Sequence, residues 1–83
     1  MRVPIILPRL DSGKEPIRVC GWLVDEGDLV VKGDAITEVL IPGITFDVIA
    51  DSTGRLVEIA KPVDSIVHAG DILGWLEDHE AEN

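Results

Sequence analysis

Short runs of isoleucine, leucine and valine alternate along this chain with small polar pairs, and no run is long enough to make an amphipathic helix. Glycine or proline recurs at Gly13, Pro16, Gly21, Gly27, Gly33, Pro42, Gly43, Gly54, Pro62, Gly70 and Gly74, cutting the apolar residues into strand-sized pieces. The pattern predicts strands over residues 3–7, 17–24, 35–40, 44–49, 55–60 and 72–76. Many short strands separated by turn signals imply an all-β sandwich or barrel.

Sliding the chain against itself by 37 residues brings Val30, Gly33 and Asp34 onto Val67, Gly70 and Asp71. Hydrophobic character is kept where Trp22 meets Ile59, Leu29 meets Ile66, Ala35 meets Ile72, Ile36 meets Leu73 and Val39 meets Leu76. Neither half can bury its apolar face alone, so the two halves are expected to pair about a pseudo-twofold axis. Gly27-Asp28, Gly33-Asp34, Gly70-Asp71 and, in the equivalent place, Asp64-Ser65 read as structural turns: glycine or aspartate takes a positive φ, and a short polar side chain bonds the local backbone.

Composition narrows the function classes. Eighty-three residues, 46% apolar, suit one small core. Sixteen acidic against seven basic residues give a charge of −9, which repels phosphate backbones and anionic lipids, so neither nucleic acid nor membrane is an expected partner. The lone Cys20 makes no internal disulfide and reads as a packed small hydrophobe. The run Ile5, Ile6, Leu7, bracketed by Pro4 and Pro8, is too short for a signal peptide or spanning helix, and a soluble cytoplasmic protein is the default expectation.

The segments VPIILPRL, GWLVDEGDLVVKGDAITEV and TFDVIADSTGRLVEIAKPVDSIVHAGDILGWLE resemble, in this order, the biotinyl/lipoyl domain family, most closely the lipoyl domains of 2-oxo acid dehydrogenase acyltransferase components. The resemblance covers about residues 2–77. It implies a flattened barrel of two four-stranded antiparallel sheets, a barrel-sandwich hybrid, with both termini at one end and an attachment hairpin at the other. On that basis residues 1–77 form the domain, and residues 78–83 an acidic tail or the start of a linker.

In the family the hairpin carries a lysine whose amine receives lipoate or biotin. Here the corresponding residues are Leu40, Ile41, Pro42, Gly43 and Ile44, with Gly43 at the attachment position. Glycine has no ε-amine, so neither lipoate nor biotin is expected there. The other lysines, Lys14, Lys32 and Lys61, fall outside the hairpin and read as solvated surface charges. Pro42-Gly43 suits the centre of a type II turn; that geometry matches strand twist poorly, so a loop wider than the family's is expected.

A tip built of Leu40, Ile41, Pro42, Gly43 and Ile44, with Phe46 nearby, is apolar for a projecting loop and is the candidate protein-docking site. The competing reading has Leu40 and Ile44 closing the barrel end, leaving only Pro42-Gly43 exposed. No catalytic or metal-binding residue is expected: Ser12, Ser52 and Ser65 lack a histidine signature, His68 and His79 lack metal-ligand spacing, and the ending Glu77, Asp78, His79, Glu80 and Glu82 reads as a solvated tail. The functional expectation is a lipoyl-like scaffold or protein-interaction module without a lipoyl arm. The alternative is an acyl-carrier domain of a dihydrolipoamide acyltransferase. A protein partner is expected on either reading, with components of a 2-oxo acid dehydrogenase complex as candidates.

Overall fold

A computed structural model describes residues 1–10 and 15–78. Ser12, Gly13, Lys14, His79, Glu80 and Glu82 lie outside them. The described residues contain eight strands: β1 (Arg2–Ile6), β2 (Ile17–Trp22), β3 (Leu29–Val30), β4 (Ala35–Ile41), β5 (Ile44–Ile49), β6 (Gly54–Ile59), β7 (Ile66–Val67) and β8 (Ile72–Asp78). They form two four-stranded antiparallel sheets, ordered β1-β8-β6-β3 and β5-β4-β2-β7. The final strand reaches Asp78, which pairs with Gly54.

The sequence repeat becomes a repeat of structure. Moving 37 residues along the chain carries β2 onto β6, β3 onto β7 and β4 onto β8, and each has the same length as its mate. Even the irregularities recur. Bulges fall at Cys20 in the β2–β4 pair and at Val57 in β6–β8; two more fall at Ile36 in β4–β5 and at Leu73 in β8–β1. A bulge shifts the in-out alternation by one residue. Ile36 and Thr37 are therefore both buried, as are Leu73 and Gly74.

The tight turns share one design. The N–H groups of Asp28, Asp34, Ser65 and Asp71 donate to the carbonyls of Asp25, Val31, Pro62 and His68, and the preceding residue has a φ between 79° and 98°. In three turns the aspartate carboxylate also accepts the N–H of the first turn residue: Asp28 from Asp25, Asp34 from Val31 and Asp71 from His68. The fourth begins with Pro62, which has no N–H to offer, and there serine replaces the aspartate.

Between the sheets lie Val19, Val30, Ile36, Val39, Leu56, Val67, Leu73 and Leu76, each almost wholly buried. Thr37 joins them because its hydroxyl donates to the Gly21 carbonyl at 2.7 Å. Trp22 packs on the edge of this core, its Nε1 donating to the Lys61 carbonyl at 2.8 Å.

Candidate functional site at the hairpin tip

The β4–β5 hairpin pairs Ile41 directly with Ile44, leaving only Pro42 and Gly43 in the turn. Gly43 has a φ of 84°, the conformation the second central residue of a type II turn requires. The loop is therefore as tight as a hairpin allows, and the expected widening is absent. Pairing at Ile41 and Ile44 continues up to the turn despite its mismatch with strand twist.

Side-chain directions at the tip follow from the bulge at Ile36. With the alternation shifted, Val39 and Ile41 face inward and Leu40 faces out: Ile41 is 8% exposed, Leu40 43%. Ile41 is thus a core residue closing the barrel end, a correction to its inclusion among docking residues. Ile44 sits across from Ile41 but at the open end, where it is 59% exposed. The competing expectation that Leu40 and Ile44 would close the barrel is corrected on both counts: the shift turns Leu40 outward, and Ile44, though on the face of Ile41, is left exposed at the open end. Phe46 is half-buried against the core, so the exposed tip consists of Leu40, Pro42, Gly43 and Ile44.

Beside this tip runs a groove of about 180 Å³, walled by Glu15, Pro16 and Arg18 on one side and by residues 40–43 on the other. Arg18 stands opposite Leu40 in the β2–β4 register and donates to the Asp64 carbonyl at 3.1 Å. Glu15, Pro16 and Arg18, just before and at the start of β2, were not anticipated as part of the site. Their signal is the pairing of the start of β2 with the end of β4, a long-range contact that spacing alone does not reveal.

Other candidate chemistry stays dispersed. His68 is exposed in its turn, with Nδ1 3.7 Å from the Asp71 carboxylate. Ser65 lies in the turn after Pro62, and Ser52 lines a cavity of about 20 Å³ between β1 and the end of β5. Among the described residues no three His, Cys, Asp or Glu side chains gather as a metal site, and no helix is long and apolar enough to cross a membrane. On the outer face of the β5-β4-β2-β7 sheet, Cys20 is half-buried with its thiol directed at the Glu38 carbonyl, 3.3 Å away. Burial raises its pKa first, followed by the negative charge of Glu38.

The family model described as biotin-requiring enzyme matches residues 5–76, nearly the entire two-sheet barrel. The chain belongs to the biotin/lipoyl family. The dihydrolipoyllysine-residue acetyltransferase component of the pyruvate dehydrogenase complex of Rhizobium meliloti (strain 1021) is 36% identical over 62 residues. That match takes in 75% of this chain and 14% of the relative, so the chain corresponds to a small part of that protein. The solution structure of the lipoyl domain of the 2-oxoglutarate dehydrogenase complex from Azotobacter vinelandii superimposes with a TM-score of 0.68 at 24% identity, covering 88% of this chain and 96% of that one. The flattened barrel of this biotin/lipoyl family member is the fold of that lipoyl domain, and its tight β4–β5 turn is made of proline and glycine.

Proposed function

We propose that this biotin/lipoyl-family domain carries no covalent arm and acts as a protein-interaction module that meets its partner with the hairpin tip. The observation that carries the reading is the turn itself: Pro42 and Gly43 occupy its two positions, neither has an amine, and exposed Leu40 and Ile44 flank them. Attachment of lipoate or biotin is amide formation on a lysine Nζ, so the residues at this tip do not fit either group. Lys32 precedes β4, separated from the tip by the seven residues Ala35–Ile41, roughly 20 Å of strand. Lys61 follows β6, outside the hairpin.

Intact mass after co-expression with a lipoate ligase and lipoic acid tests the reading. An unmodified mass is expected, and an added lipoyl group overturns it. The docking part is tested with purified components of a 2-oxo acid dehydrogenase complex, the candidate partners. Joint Leu40→Asp and Ile44→Asp substitution is expected to abolish capture while circular dichroism stays unchanged.

The Rhizobium relative favours a second reading, an acyl-carrier domain of a dihydrolipoamide acyltransferase. It requires a lysine elsewhere in this chain to be modified. The same mass measurement followed by peptide mapping would locate it.

A further inference from the structure

We infer that the outer edge of β5 is a strand-addition site for an extended protein segment that alternates apolar and basic residues. This goes beyond the proposal for the tip and stands whether or not the tip docks.

The pseudo-twofold makes β5 and β1 equivalent, each at the end of its sheet. Unpaired strand edges invite pairing with other chains, and proteins blunt them with proline, bulges or charged side chains, lysine above all. The bulges opposite the two edges, at Leu73 and at Ile36, are alike, but β1 also carries Arg2 and Pro4. β5 has the sequence Ile-Thr-Phe-Asp-Val-Ile, with no proline, lysine or arginine; its one charge, Asp47, deters an acidic strand and suits a basic one, and Ile44 and Ile49 are 59% and 48% exposed. Among the described residues, no strand pairs with its outer edge.

The direction of its backbone groups follows from the tight turn. Ile41 and Ile44 form the hydrogen-bonded pair that closes a two-residue hairpin, and pairs alternate from there. Ile44 and Phe46 therefore aim their N–H and C=O groups at β4, while Thr45 and Asp47 aim theirs outward.

A strand added at this edge would lay one of its faces over the seam between the two sheets. There a groove of about 220 Å³ separates Ile6 and Pro8 from Phe46 and Val48 and accepts apolar side chains. Its charged lining residues are Asp47 and Asp51, with no basic group among them. The complementary occupant is cationic on its other face. A second copy of this chain, with its charge of −9, is a poor match.

The test uses the whole chain and an acetylated octapeptide of alternating lysine and valine. Titration followed by amide NMR is expected to shift Thr45 and Asp47 and to slow their hydrogen exchange. N-methylating alternate peptide amides blocks strand pairing in one register only. One methylated version is therefore expected to bind about tenfold more weakly and the other nearly unchanged. Thr45→Pro removes an outward donor and no bond to β4, and is expected to weaken binding about five- to tenfold. Asp47→Asn is expected to weaken it about two- to fivefold, with reduced salt dependence. The proposal is overturned if both methylated peptides bind as well as the parent, or if the shifts map to the tip or the sheet faces. Equal binding of a glutamate–valine peptide, or a dimer of the free chain that the peptide dissociates, also overturns it.

Discussion

Gly74 and Gly21 are both strand glycines with no positive φ, yet alanine at the two positions should act in opposite directions. A Cβ built at Gly74 would lie 2.6 Å from the Glu58 carbonyl oxygen and 3.1 Å from Cη2 of Trp22. The oxygen belongs to β6, the strand paired with β8 along this stretch, so it cannot swing away as a surface side chain would. Overpacking of this kind costs about 1–3 kcal/mol, offset by about 0.4–1 kcal/mol because alanine restricts the unfolded chain. The net expectation for Gly74→Ala is a loss of about 1–2 kcal/mol, or roughly 5–15 °C in Tm for a domain of this size. A Cβ at Gly21 meets nothing within 4 Å, so Gly21→Ala keeps the unfolded-state gain of about 0.4–1 kcal/mol. Urea unfolding followed by tryptophan fluorescence measures both, with an unchanged m-value as the check that only stability has moved. Adding Trp22→Leu to Gly74→Ala should restore only part of the loss, because the shorter contact is to backbone. Full restoration, or two alanine variants of the same sign, would refute the steric argument.

Gly43→Lys is expected to cost about 1–2 kcal/mol from the left-handed φ and to stay unmodified by a lipoate ligase, as read by urea unfolding and intact mass. Efficient modification would show that the turn reshapes itself around the lysine. Because the Cys20 pKa is raised above its ordinary 9.0, by burial and then by Glu38, its alkylation by iodoacetamide at pH 8 should be slower than that of a free thiol and faster in Glu38→Gln. Its contribution to stability is complete below about pH 9 and falls as the pH rises through the folded pKa. Cys20→Ser should flatten that alkaline decline in a pH series of urea midpoints.

Most of the strand plan was legible because local signals agreed: β-branched runs, punctuation by glycine and proline, and a repeat that aligned Leu29 and Val30, which form β3, with Ile66 and Val67, which form β7. The tip was legible in composition and not in orientation. Strict alternation counted from Ile36 puts Leu40 inside and Ile41 outside, whereas the bulge at Ile36 reverses both. Bulges arise from how two strands settle against each other, and a single sequence carries little trace of them. The turn was misjudged for a related reason. Pro42-Gly43 signalled its type correctly, but the prediction of a wider loop gave twist more weight than the pairing of Ile41 with Ile44.

The recurrence of strands and bulges every 37 residues has a consequence for chain connectivity. Asp78 donates its N–H to the Met1 carbonyl at 2.9 Å, in the position that the pseudo-twofold assigns to a second hairpin turn. The order in which the strands are threaded is thus incidental to the architecture. A chain opened between Pro42 and Gly43 and rejoined by a short linker from Asp78 to Met1 would thread the same barrel, with its new ends where the tip now stands.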